Sequence, residues 1–456
     1  MDLKTVWATE AVFYHIYPLG LCGAPAQNDF VSPPAPRLEA VSNWVAHIKE
    51  LGCNALYLGP VFESGTHGYD TVDYYTVDRR LGTNETLKEL VAQLHAEGIR
   101  VILDGVFNHV GRDFWAFQDL IAHGEHSLYR DWFSGVDFSR RSPYGDAFIY
   151  NGWNGHYNLV KLNLQHPDVR QHLFAAVQSW VEAFDIDGLR LDAADVMDLG
   201  FLRDLSGFCH GLRRDFWLLG EVIHGDYRQW ANPEMLDSTT NYECYKGLYS
   251  SHNDRNYFEL AFSLNRLFGE HGIYKDLLLY SFADNHDVNR IASTLRHAAH
   301  LYPLHALLFT MPGVPAIYYG SEWGIGGTKL PDSDAPLRPE LLRPEAVEQA
   351  PHPNLPATIS RLAAIRQAHA ALQQGNYRQV HVAHEQLAFA RRTPEEYILV
   401  VVNAASTPAS LSLKVEAPDG HMLTDLLDPQ QQYSVQQGQV YINEVPPCWA
   451  RILKVL

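Results

Sequence analysis

Cysteine is scarce in the sequence: five in 456 residues, scattered at Cys22, Cys53, Cys209, Cys244 and Cys448. With no CxxC pair and no dense spacing, a disulfide framework is excluded, and reduced thiols in a cytoplasmic protein are the simplest account. Basic charge is also short, since 35 Lys and Arg stand against 53 Asp and Glu for a net charge of −18. That sign excludes nucleic acid and anionic membrane as partners, whereas a neutral ligand meets no repulsion. Long apolar runs are missing too. The first apolar stretch is broken by Glu10 and His15, so neither a signal-peptide core nor a spanning helix is expected. No G-x-G-x-x-G follows the first strand candidate, which argues against a dinucleotide-binding sheet.

What remains is ordinary for a globular chain, with 46% hydrophobic and 19% charged residues. Its length predicts one large domain and a smaller one. The 10 Trp and 24 Tyr serve packing first, although such rings are also the chemistry of sugar-stacking platforms.

Short β-rich runs alternate with amphipathic stretches. Strand candidates fall at residues 12–17, 55–58, 101–103, 188–191, 217–219, 278–281 and 315–318, with a weaker one near 238–242. One helix is expected through Leu38, Val41, Val45 and Ile48, ending at Gly52. Another is expected from about Asn84, with Leu87, Leu90, Val91 and Leu94 on one face and Gly98 behind it. Near-continuous apolar strands separated by helices imply a parallel sheet buried on both faces, and eight units imply a (β/α)8 barrel. We assign residues 1–110 and 164–375 to this barrel. Residues 111–163, rich in Trp, Tyr, Gly and His, form an inserted subdomain after the third strand; so long a loop is usually functional. Residues 331–356 hold seven prolines and read as an extended, ordered loop over the barrel. From residue 376 the pattern changes. Strand-like runs at 397–402, 411–415 and 450–453, with turns at Pro418-Asp419-Gly420 and Asp428-Pro429, predict a C-terminal antiparallel β-sandwich over residues 376–456.

Barrel enzymes carry their chemistry at the C-terminal ends of the strands. Four apolar runs end alike there: Asp104 with Asn108 and His109, Arg190 with Asp192 and Asp195, Gly220-Glu221-Val222, and Asn285-His286-Asp287. One such carboxylate is as readily a helix N-cap. Four in strand order, each with His, Arg or Asn beside it, are not explained as caps.

With residues 104–109, 188–195, 219–222 and 282–287 in this order, the chain resembles the α-amylase family of glycoside hydrolases. His67-Gly68-Tyr69-Asp70 and residues 313–320 add to the likeness, which spans essentially the whole chain. The resemblance implies a retaining mechanism, which needs a nucleophilic carboxylate and an acid/base about 5 Å apart. It makes Asp192 the nucleophile, kept ionised by Arg190 two residues earlier on the same strand face. Glu221 becomes the acid/base, and Asp287 binds hydroxyls of the distorted sugar. His109 and His286 contact that sugar and Tyr69 stacks beneath it. Asp104, Asn108 and Asp195 are read as structural.

Where calcium-dependent members usually have Lys-His after the nucleophile motif, this chain has Asp195-Val196, and acidic partners for Asn108 are not recognisable in the insertion. No calcium site of the usual kind, no zinc cluster and no other cofactor is therefore expected. Trp153-Asn154-Gly155, residues 159–163 and Glu221-Val222-Ile223-His224 are similar to the neopullulanase, cyclomaltodextrinase and maltogenic amylase group, which places Trp153 at the substrate. That group's N-terminal β domain is not expected here, since the first strand begins near residue 12; the oligomeric state stays open. The resemblance thus implies hydrolysis of α-1,4 bonds in maltooligosaccharides or cyclodextrins, with an oligosaccharide as partner. Transglycosylation, sugar isomerisation and α-glucosidase activity use the same scaffold. A catalytically dead binding subunit would lack one of the three carboxylates, and all are present. His123, His126 and His156 read as solvated loop residues, and Lys329 and Arg338 as candidates to grip distal sugars.

Overall fold

The computed structural model describes residues 6–344 and 350–455; the first N-terminal residues and residues 345–349 of the proline-rich segment lie outside the described residues. Eight short strands make the central sheet: β1 (Phe13–Ile16), β2 (Ala55–Leu58), β3 (Arg100–Gly105), β4 (Gly188–Leu191), β5 (Trp217–Gly220), β6 (Ser238–Thr239), β7 (Tyr280–Phe282) and β8 (Val314–Tyr318). They pair side by side in the order β6-β5-β4-β3-β2-β1-β8-β7, all parallel. A parallel bridge between Thr240 and Tyr280 joins the two ends, so the sheet closes into a barrel.

Period-two alternation decides which side chains face inward. Phe13, Ala55, Tyr57, Ile102, Trp217, Leu219, Tyr280, Phe282, Val314 and Ala316 form one buried cluster inside the barrel, with Ala8 and Ala11 completing it. The residues between them, among them Tyr14, Leu56, Leu58, Val101, Leu103, Leu189, Leu191 and Leu218, pack outward against the helices. At the inner floor Trp217 stacks on Phe13 at 5.1 Å and meets Trp7 edge-on at 5.9 Å. Truncating so large a fully buried ring leaves a cavity that the closed barrel cannot collapse into. Trp217→Ala is therefore expected to destabilise the chain by about 3–5 kcal/mol, and an unchanged urea midpoint would contradict this packing.

Helix Asn84–Ala96 begins where expected, with Thr83 accepting from Thr86 N in a reciprocal capping box and Leu87, Leu90, Val91 and Leu94 buried. The helix expected through residues 38–48 is instead two short ones, Glu39–Ser42 and Val45–Glu50. Between them the buried Trp44 turns its indole Nε1 to the carbonyl of Leu341 at 3.1 Å. Strand β7 starts at Tyr280, two residues later than the apolar run suggests. After β2 a hairpin of Phe62–Ser64 and Thr71–Val77 stands over the barrel. The segment after β3 carries helix Trp115–His123 and a three-stranded antiparallel sheet of His109–Gly111, Gly152–Trp153 and His156–Lys161.

Eight antiparallel strands follow: β9 (Asn376–Val382), β10 (Gln386–Arg392), β11 (Tyr397–Asn403), β12 (Ala409–Lys414), β13 (Met422–Asp425), β14 (Gln432–Gln436), β15 (Gln439–Val445) and β16 (Trp449–Val455). Their order is β9-β10-β11-β16-β13-β14-β15-β12. Leu387, Phe389, Ile398, Val400, Val402 and Ile452 join the core shared with the barrel. The alternate residues Ala388, Leu399, Val401 and Leu453 pack on Leu413, Val440 and Ile442 in a second core, so the sheet folds over on itself. The five cysteines are free thiols, four of them buried.

Candidate active site

The inward alternation that builds the barrel floor continues upward and turns polar. Asp104 lies two residues beyond Ile102, Asp192 two beyond Arg190, and Glu221 two beyond Leu219, and Asp104 is in register with Arg190 on the neighbouring strand. Strand pleat therefore brings all four to the C-terminal mouth. Arg190 lies at the centre of the group. Its Nη1 donates to Asp104 Oδ1 at 3.0 Å and to Asp192 Oδ1 at 2.9 Å, and its Nη2 lies 2.7 Å from Glu221 Oε1. Glu221 Oε2 also accepts from the backbone N–H of Ala193 at 3.0 Å. Ala193 holds a left-handed φ of 48°, which turns its amide toward Glu221. A non-glycine residue pays for that conformation, and such strain concentrates at functional sites.

Asp287 enters from the loop after β7. His286 Nε2 lies 2.9 Å from Asp287 Oδ2 and also meets the Tyr69 hydroxyl, which donates to Asp104 Oδ2 at 3.0 Å. Tyr57 donates to the same Asp104 oxygen at 2.6 Å. The Tyr69 ring lies parallel to His286, 9° between planes and 5.4 Å between centroids. His109 Nε2 stands 3.8 Å from Asp192 Oδ2, and the Trp153 ring is 5.7 Å from the His109 ring. All eight residues singled out from the sequence, Asp192, Glu221, Asp287, Tyr69, His109, Arg190, His286 and Trp153, thus link into one contact network. Asp287 is the most open of the carboxylates, its side chain 34% exposed against 12% for Asp192 and 11% for Glu221.

One guanidinium serves three carboxylates, so charge is not balanced here. Burial pushes the Asp192 carboxyl well above its usual range; Arg190 opposes this, while Glu221, Asp104 and Asp287 add to it. Burial likewise raises Glu221 against the pull of Arg190. Arg190 favours the ionised form of both Asp192 and Glu221, but its charge is shared among three carboxylates. Asp287 differs. Burial pushes it up, but His286, Arg338 and Arg190 together hold it well below the usual carboxylate range. Burial lowers His109 to about 3, so its imidazole is neutral at pH 7.

Arg338 is the main residue whose place the sequence did not disclose. Its Nη2 donates to Asp287 Oδ1 at 3.0 Å and to Asp334 Oδ2 at 3.1 Å, its Nε donates to the carbonyl of His286 at 3.0 Å, and its guanidinium covers the Tyr17 ring. The one available signal was the Asp334/Arg338 spacing of four, which does not point across the barrel to Asp287. Beside it opens a cleft of about 620 Å³ lined by Tyr17, His67, His156, Lys329, Asp334 and Arg338. His156 thus faces a cleft, whereas His123 is exposed beside Asp119. Asp104 is fully enclosed, as a supporting residue should be. Asp195 receives the Ile223 amide. Asn108 Oδ1 is buried without a partner among the described residues, yet no cluster of three or more His, Cys, Asp or Glu suited to a cation occurs among them.

Carboxylates gathered around a buried arginine at the open end of a parallel barrel are an arrangement that suits glycoside hydrolysis. A family model described as alpha amylase, catalytic domain, matches residues 36–369, and one described as maltogenic amylase, C-terminal domain, matches residues 377–452. The chain belongs to the α-amylase family of glycoside hydrolases. It is 31% identical over 420 residues to a cyclomaltodextrinase of Bacillus sp, covering 87% of this chain and 73% of that protein. It is also 31% identical over 469 residues to neopullulanase 2 of Thermoactinomyces vulgaris, covering 96% and 77%. Among solved structures, the cyclic alpha-maltosyl-(1→6)-maltose hydrolase of Arthrobacter globiformis, in complex with that sugar, superposes with a TM-score of 0.80. The match is 28% identical and covers 99% of both chains.

Proposed function

We propose that the chain cleaves α-1,4-glucosidic bonds of maltooligosaccharides and cyclodextrins with retention, through a covalent glycosyl-enzyme on Asp192. The observation that carries this reading is the placement of Asp192 and Glu221 on two nitrogens of one buried guanidinium. Arg190 engages Asp192 Oδ1, which leaves Oδ2 to attack the anomeric carbon. As that bond forms, Glu221 delivers its proton to the glycosidic oxygen and the leaving sugar departs. Glu221, now a carboxylate, takes a proton from water, which attacks the anomeric carbon and releases Asp192. Two inversions give net retention. Asp287, ionised throughout, accepts hydroxyl hydrogen bonds from the distorted ring. His109 Nε2 is buried and unpartnered among the described residues, a group set to meet a sugar hydroxyl. His286 and Arg338 hold Asp287, Tyr69 stacks on His286 and floors the same position, and Trp153 borders it beside His109.

Activity requires the Asp192/Glu221 pair to hold one proton. Because burial raises both groups, that proton is retained above the ordinary glutamic acid value and is lost as pH rises further. The expected kcat/KM profile is a bell whose alkaline limb lies above the ordinary glutamic acid value; an alkaline limb at or below that value would contradict it. Arg338→Ala should free Asp287 and lower kcat/KM on maltotriose about 10²-fold, with the larger share in KM.

The family models' ranges and the change from parallel to antiparallel strands support a division into a barrel of residues 1–110 and 164–375, an insertion of 111–163 and a C-terminal domain from 376. Five free thiols support an intracellular location. A product profile on maltotriose, cyclodextrin, pullulan and sucrose, with NMR of the first-formed anomer, tests the reading. It predicts an initial α product, and an initial β product would overturn it. Products longer than maltotriose would reveal transfer to sugar beside transfer to water.

A further inference from the structure

The outer face of β14, β15 and β12 carries few of the charged side chains that usually cover an exposed edge of a sheet. Alternation turns Val435, Val440, Ile442 and Leu413 into the second core and leaves Gln432, Ser434 and Gln436 on β14, Gln439, Tyr441 and Asn443 on β15, and Ser412 on β12 outside. Cross-strand register sets Ser412 opposite Tyr441 and Gln436 opposite Gln439, and the Ser412 hydroxyl donates to Gln439 Oε1 at 3.1 Å. With the turn glutamines Gln430, Gln431 and Gln437 they line a cleft of about 810 Å³. None of the described residues lining it carries a formal charge, in a chain whose net charge is −18. Of the charged residues of these strands, Lys414 shares the outer face with Ser412 and stands opposite Gln439 at the margin of the cleft, and Glu444 follows Asn443; neither lines the cleft. Tyr441 stands in this face with 63% of its surface exposed.

We infer that this face binds a neutral glucan chain at a site separate from the barrel mouth. The amides supply paired donors and acceptors for sugar hydroxyls, and the Tyr441 ring supplies a flat apolar platform for a pyranose face. An ionic ligand meets a single cation, Lys414, at the margin and no charge within the cleft, and a protein partner would need a larger apolar centre than one tyrosine. The inference rests on the reading of the chain as a glucan-cleaving enzyme, since that reading names the polymer.

Affinity electrophoresis of the full chain in gels containing soluble amylose, beside kinetics on maltotriose, tests it. Tyr441→Ala is expected to weaken retention by amylose about fivefold or more, Gln436→Ala combined with Gln439→Ala to weaken it similarly, and Tyr441→Trp to restore it. Each variant should keep wild-type kcat/KM on maltotriose, which also reports folding. Unchanged retention in Tyr441→Ala overturns the site, and so does a change in sedimentation without a change in retention, which would make the face a contact between copies. Wild-type hydrolysis without Tyr441-dependent retention removes this site and leaves the enzyme reading intact. Tyr441-dependent retention without hydrolysis does the reverse.

Discussion

Asp192→Asn is expected to lower kcat/KM on maltotriose by about 10⁴-fold or more while the protein stays folded. The amide keeps the shape of the side chain and can still accept from Arg190 Nη1 through its oxygen, now 2.9 Å from Asp192 Oδ1. What it loses is the anion that attacks the anomeric carbon. Because covalent catalysis replaces one difficult displacement by two easier ones, loss of the nucleophile removes both steps. Glu221→Gln should behave differently. It blocks proton delivery, so maltotriose suffers heavily, whereas a maltosyl fluoride, whose leaving group needs no proton, should still form the glycosyl-enzyme. Equal loss on both substrates would mean that Glu221 is not the acid. Activity within tenfold of wild type in Asp192→Asn would remove that residue from the chemistry.

The second large effect falls on stability. Arg190→Met should destabilise the chain by about 3–5 kcal/mol at pH 7, because Asp104, Asp192 and Glu221 would share an enclosed space without a cation. Their side chains are 0%, 12% and 11% exposed, so water cannot take over the role of the guanidinium. The pH dependence carries a definite sign. Without Arg190 the folded-state carboxyls titrate above their unfolded values, so the folded state binds more protons than the unfolded one as pH falls. The deficit against wild type should therefore be smallest in acid and grow as pH rises through the raised values. Urea midpoints at pH 5 and pH 8 check this, and a deficit larger at pH 5 would contradict it.

Much of this site was legible because a strand repeats every two residues. Arg190 and Asp192 had to share a face once residues 188–191 formed a strand, and Glu221 had to follow an apolar run. What period two does not tell is which neighbour in space a side chain meets. That Arg190 also holds Glu221 depends on the pairing of β4 with β5. That Arg338 holds Asp287 depends on a loop folding back across 51 positions. Between Glu39–Ser42 and Val45–Glu50 the backbone stays near the helical region at Asn43 and Trp44, so the apolar spacing was right about the turn and wrong about its continuity. In the C-terminal region five of the eight strands, Asn376–Val382, Gln386–Arg392, Met422–Asp425, Gln432–Gln436 and Gln439–Val445, were not read from the sequence; Gln432–Gln436 alternates, but with only two apolar residues, Tyr433 and Val435, it gives a short signal.

The central claim is that Asp192 becomes covalently glycosylated in turnover. Incubation with a fluorinated α-glucosyl fluoride, whose intermediate hydrolyses slowly, followed by peptide mapping by mass spectrometry, tests it directly. The account predicts one added fluoroglucosyl group per chain, on the peptide that carries Asp192 and absent in Asp192→Asn. An adduct on another residue, or turnover with inversion and no adduct at all, would contradict it.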